Sequence, residues 1–207
     1  MQVEMIKILL KIKLFIVILT IGSVLKADPY SLANISQYLT NLKFLKADFL
    51  QTSADGAASS GAILIKRPGR MRFEYYKPDK TLVLISSGAL AIFDPKGDEE
   101  PITYPIKNNP ISLVLTGEVD LLNSGIVENY EKSIEEAVLT IRDPKRPERG
   151  SVELVFTGAK PELKQFSIKN ENGSSTSILL NDIEYPKKIN ETLFSISLEI
   201  NKRKNKD

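Results

Sequence analysis

The chain has 207 residues, 42% of them hydrophobic, with 28 basic and 26 acidic side chains and no cysteine, histidine or tryptophan. That is material for one domain with its own core, and it excludes disulfide scaffolds, Ser-His-Asp or Cys-His catalysis and the usual zinc sites. Setting aside residues 1–27, with four lysines and one glutamate, leaves 24 basic and 25 acidic groups, and that balance lacks the basic footprint a nucleic-acid partner needs.

Residues 1–27 have their own layout. Lys7, Lys11 and Lys13 precede an uncharged apolar run over 14–25, and Ala27 offers a small residue before Asp28-Pro29. This is the pattern of a secretory signal peptide. The domain is therefore expected over 28–200, exported and, with no thiol for a lipid anchor, soluble after cleavage. Apolar residues at Leu32, Ile35, Leu39, Leu42 and Leu45 predict an amphipathic helix over 31–45, with Asn34 and Gln37 as a capping pair. From Phe44 to Gln51 the period shortens towards that of a strand, and a Gly/Ser-rich loop is expected over 53–61.

The chain is organised around residues 61–78, GAILIKRPGRMRFEYYKP, which read as two extended runs hinged at Pro68-Gly69. Met71, Phe73 and Tyr75 alternate with Arg70, Arg72, Glu74 and Tyr76, which predicts a strand with one dry face. Ile63 and Ile65 share a face with Arg67, so a guanidinium ends an apolar stripe, where it requires a partner or water. Pro68 has no N–H for a ladder and Gly69 tolerates unusual dihedrals, which marks a turn or kink.

Beyond it, 82–85 and 89–94 predict a tight hairpin around 86–88. Asn109-Pro110 reads as an N-cap with proline at the first helical position, leading into a short apolar helix with Ile111, Leu113, Val114 and Leu115 and a stop at Gly117. A further helical turn is expected near 119–122. Strands are expected at 137–142, 151–157, 162–169, 175–183 and 194–200, followed by a charged, frayed tail over 201–207. The sum is a mainly β fold (α+β) of nine to eleven antiparallel strands with two or three short helices, one of which can cover the concave side of a curved sheet. If the chain were a hydrolase, Glu74 and Asp94 would be the carboxylates to suspect, but alternating acidic residues on outer faces are routine. No phosphate loop, metal spacing or cofactor motif is present in the sequence, and a binder is expected rather than an enzyme.

The succession of a helix, FLKADFLQ (44–51), GAILIKRPGRMRFEY (61–75) and two short strands around SSG and FDP resembles the LolA family of periplasmic outer-membrane lipoprotein carriers. The resemblance spans most of 28–200 and is most specific in KRPGRMRFEY. It implies an incomplete antiparallel β-barrel with helices as a lid over an apolar cavity. It implies a monomer without metal or cofactor that takes acylated lipoproteins from an inner-membrane ABC-type transporter and passes them to an outer-membrane acceptor. By the same resemblance Arg67 is the lid latch, Pro68 and Gly69 its hinge, and Met71 and Phe73 line the cavity or touch the transporter. Ile63, Ile65 and Tyr75 are expected in the cavity wall, with Ile35, Leu39, Leu42, Ile111 and Leu115 on the lid. This chain departs from some relatives in having Met71 in place of an aromatic and no tryptophan. A lipid-sensing regulator with the same half-barrel is the alternative, separated from a carrier by its partners.

Overall fold

The computed structural model describes residues 28–95 and 100–205; the expected signal peptide, 1–27, lies outside the described residues. Among the described residues, eleven strands form a single antiparallel sheet. They are β1 (Phe44–Thr52), β2 (Ala58–Lys66), β3 (Arg70–Tyr75), β4 (Leu82–Ser86), β5 (Ala89–Phe93), β6 (Ile102–Pro105), β7 (Val127–Lys132), β8 (Glu136–Arg142), β9 (Ser151–Thr157), β10 (Glu162–Lys169) and β11 (Ser175–Glu184). The spatial order is β6-β5-β4-β3-β2-β1-β11-β10-β9-β8-β7, so sequence neighbours pair throughout except β6 and β7, and β1 meets β11 at the centre. β6 and β7 are left as the two edges, and the barrel is not closed.

Alternation decides which face is dry. Leu45, Ala47 and Phe49 of β1, Ile63 and Ile65 of β2, and Val152, Leu154 and Phe156 of β9 all point into one core. Over that inner face lie α1 (Leu32–Asn41) and α2 (Ser112–Leu115). α1 presents Ile35 and Leu39, one turn apart, to the sheet. It is shorter than the pattern over 31–45 suggests: Ser31, not the Asn34–Gln37 pair, caps it by accepting from the Asn34 N–H, and Leu42 ends it because β1 begins at Phe44. Before α2, Asn109 Oδ1 accepts from the Ile111 N–H at 3.0 Å, so the cap works one step earlier than the helix proper. Residues 119–122 are not helical; Asp120 accepts from the Leu122 and Asn123 N–H groups and forms a turn, while Val119 and Leu121 remain buried.

The 194–200 segment corrects a strand assignment. Phe194, Ile196, Leu198 and Ile200 alternate with polar residues, a strand-like pattern, yet the chain forms a 3₁₀ turn (Glu191–Phe194) and then α3 (Ile196–Lys204). β11 already pairs with β1 and β10, so it offers no free side. Asn190 and Ser195 cap the two turns, and Ile196 and Ile200, at helical spacing, cover Leu82, Leu84, Ala91 and Phe93 on the outer face. The frayed tail expected from 201 is likewise corrected as far as Lys204. Arg203 lies 4.8 Å from the Phe93 ring centroid and donates to the Asp94 carbonyl at 2.9 Å. The same C-terminal segment buries Arg72 of β3, which donates to the Leu193 carbonyl and to Glu74. β6 and β7 have no counterpart among the expected strands, because edge strands need no alternating dry face.

Gly61 packs where no side chain fits. A Cβ there would meet the Glu74 carbonyl oxygen at 2.2 Å and Phe49 Cε1 at 2.7 Å. Gly61→Ala should therefore destabilise the fold by about 1–3 kcal/mol through overpacking, read as a lower urea midpoint.

Candidate functional site

The site lies between the inner face of the sheet and the two lid helices. Ile65, Arg67, Met71, Leu39, Leu42, Ile111 and Leu115 surround a small cavity of about 30 Å³, together with Val114, Leu154, Leu163 and Phe166. That is room for a water molecule or two, not for a hydrocarbon chain. The residues of 61–78 reach it because β2 and β3 pair with Ile65 opposite Met71 and Ile63 opposite Phe73. Ile35, Ile63 and Phe73 are buried in the same core without facing the void. Tyr75 stands apart, half-buried in an edge-to-face contact with Phe49 (5.1 Å, 84°), its hydroxyl donating to Gln51 Oε1 at 2.6 Å.

Val114, Leu154, Leu163 and Phe166 were not among the expected wall residues. Leu154 faces inward with Val152 and Phe156, and the pairing of β9 with β10 brings it opposite Phe166 at the cavity. Glu74 and Asp94 do not form a catalytic pair: Glu74 is engaged by Arg72 on its own strand, and β4 separates β3 from β5. Among the described residues, no three acidic side chains cluster as metal ligands would.

The β2–β3 turn is where sheet and lid meet through polar bonds. Gly69 adopts φ +74°, a left-handed conformation open to glycine at little cost, and its N–H donates to the Leu115 carbonyl of α2 at 2.9 Å. Pro68 is exposed at the turn. Arg67 is only 8% exposed, and its Nη2 donates to the Thr116 carbonyl that ends α2. Its Nε and Nη1 are buried without a hydrogen-bond partner among the described residues. Burial lowers the guanidinium to about 10, with Tyr38 acting weakly in the opposite direction. One carbonyl therefore holds a cation that the surrounding side chains disfavour.

α1 is held separately. Ser36 Oγ donates to the Val119 carbonyl at 2.5 Å and accepts from the Leu121 N–H at 3.0 Å. Tyr38 accepts from the Leu163 N–H and meets the Tyr185 hydroxyl, both at 3.1 Å. Outside the helix, an open cleft of about 740 Å³ runs past Tyr38, Glu162 and Tyr185 and shares Leu42 with the small cavity.

With this geometry in view, the family model described as outer membrane lipoprotein carrier protein LolA matches residues 40–197, three quarters of the chain and the whole sheet. An outer-membrane lipoprotein carrier protein of Coxiella burnetii is 25% identical over 199 residues, 91% of this chain and 92% of the relative. One from Methylococcus capsulatus is 24% identical over 187 residues, 85% and 88% of the two chains. The solved structure of a LolA superfamily protein from Nitrosomonas europaea aligns with 81% of this chain and 99% of its own, at 10% identity and a TM-score of 0.43.

Tyr75 supplies a pH test of this packing. Burial, with a smaller contribution from Asp79, pushes its hydroxyl up to about 12 against the opposing bond to Gln51. The unfolded chain loses that proton near 10 while the folded chain keeps it, so this part of the stability is intact below about 10 and is lost as pH rises towards 12. Stability against urea should fall over that range, and Tyr75→Phe should fall less steeply than the parent; equal slopes would contradict the assignment.

Proposed function

The chain belongs to the LolA family, the outer membrane lipoprotein carrier proteins, and from that premise we propose that it carries acylated lipoproteins through the periplasm. It takes them from an inner-membrane ABC-type transporter and delivers them to an outer-membrane acceptor. The observation that supports this most directly is the small apolar cavity of about 30 Å³ under a lid bonded through Arg67 and Gly69. A hydrocarbon-lined space that exists only in collapsed form suits a ligand that is absent for half of each cycle.

The energetics set the design. Each methylene removed from water contributes about 0.8 kcal/mol, so a lipoprotein's chains together represent tens of kcal/mol that a soluble carrier must shelter. A carrier must also give them up, which requires the empty state to be favourable enough to compete. In this reading the inner face takes up the chains when α1 and α2 move outward, with Ile63, Ile65, Met71 and Phe73 as wall and Ile35, Leu39, Leu42, Ile111 and Leu115 as moving cover. Pro68 and Gly69 are the hinge. Arg67 is the latch of the empty form, and its bond to Thr116 must break for a chain to enter.

A latch that favours the empty state speeds release. Arg67→Leu should still accept lipoprotein from spheroplasts but retain it when outer-membrane vesicles are added. Transfer should fall by more than tenfold, the effect of about 1.4 kcal/mol of lost preference for the empty form. Transfer at the parent rate would overturn the latch role.

A further inference from the structure

The lid covers the inner face unevenly, and the register shows where the cover ends. Residues directly opposite one another on paired strands share a face of the sheet. One such row runs from Phe73 through Val83 and Ile92 to Ile102, the next from Met71 through Ile85 and Leu90 to Tyr104. Phe73 and Met71 are 7% and 2% exposed beneath the lid, Val83 and Leu90 are half-buried, and Ile102 and Tyr104 stand 61% and 53% exposed on the edge strand β6. An uninterrupted apolar stripe thus leads from the cavity wall to the free edge, three inter-strand steps or about 14 Å away.

The opposite edge is shut. There Tyr130 of β7 donates to the Tyr30 carbonyl, and Lys132 pairs with Asp28, so the chain just before α1 is tied down over β7. β6 is also poorly suited to receive a partner's strand, since it has four residues, follows Pro101 and ends in Pro105, and a prolyl nitrogen has no hydrogen to donate. What the stripe does suit is hydrocarbon. Tyr104 adds a ring with a polar tip, a side chain at home where apolar surface meets water.

We propose that this stripe is the path of the acyl chain: hydrocarbon enters and leaves the cavity along the inner face of β4 to β6, over Ile102 and Tyr104. The inference rests on the carrier reading and adds to it a direction, with β6 as the threshold and the β7 side closed.

The absence of tryptophan from the chain makes the test direct. Tyr104→Trp and Ile102→Trp each place a single fluorophore on the stripe at exposed positions, Phe73→Trp places one inside, and Ile134→Trp, 96% exposed in the β7–β8 turn, serves as the remote control. Each is titrated with a triacylated cysteinyl lipopeptide carrying bromine along its chains and with the unbrominated lipopeptide, after its thermal midpoint has shown that it is folded. The expected result is loss of emission to the brominated chains at 73, 102 and 104 and none at 134. Quenching at 73 alone would overturn the path, leave the carrier reading intact and assign the exposed edge to a protein partner. Quenching nowhere would overturn both. A rate measurement guards against a cavity reporter that fails to fold: Ile102→Asp should slow lipopeptide uptake without lowering the amount bound at equilibrium, and an unchanged rate would contradict the proposal.

Discussion

An antiparallel sheet that stops before closing into a barrel has an apolar face that its own strands cannot hide. Eleven strands span ten inter-strand steps, about 48 Å along the sheet, whereas the ten residues of α1 make a helix of about 15 Å. α2 adds one turn. Everything distinctive in the molecule follows from that mismatch. The helices sit over the centre and leave a cavity of about 30 Å³ beneath them, α3 covers the outer face of β4 and β5, and the β6 end of the inner face is left showing isoleucine and tyrosine.

The contact between Arg67 and α2 sets favourable and unfavourable polar terms against each other. A neutral hydrogen bond contributes about 0.5–1.5 kcal/mol net and one from a charged group about 1.5–3, while each buried N–H without a partner costs about 1–3 kcal/mol. Arg67 makes one bond to Thr116, Gly69 adds one to Leu115, and two guanidinium nitrogens are left orphaned. Polar terms of similar size and opposite sign hold the turn to α2, and the apolar burial of Val114 and Leu115 decides the outcome. Hydrocarbon arriving in the cavity offers the same burial from the other side. On the proposed carrier reading, a lid closed by a strong ion pair would not respond to such a ligand, whereas one closed by this arrangement would.

The β2–β3 hairpin was legible because alternation, the Pro68-Gly69 break and a basic residue ending an apolar stripe are all local signals. So was the β4–β5 hairpin, where Ser87 and Gly88 carry the positive φ values of a two-residue turn. The C-terminal segment was not, since apolar residues two apart at Ile196, Leu198 and Ile200 also contain the four-residue spacing of a helix, and only the pairing of β11 on both sides decides between them. Edge strand β6 is too short to read, with four exposed residues, and β7 is mostly polar. At the site, the inward residues of 61–75 were visible in the sequence, but the acceptor for Arg67 was not: Thr116 lies 49 positions away, and nothing near it marks its carbonyl as a partner. Leu154, Leu163 and Phe166 were hidden for the same reason, because which part of a long inner face borders a void depends on where the lid lies.

The central claim is that the collapsed cavity opens for acyl chains and for nothing else on the client. The most direct measurement incubates the protein, without residues 1–27, with spheroplasts displaying a lipoprotein in acylated form or with its lipid-bearing cysteine replaced, followed by gel filtration of the supernatant. The account predicts a soluble one-to-one complex with the acylated client alone. A complex of equal yield with the unacylated client, or none with either while the protein remains folded, would contradict it.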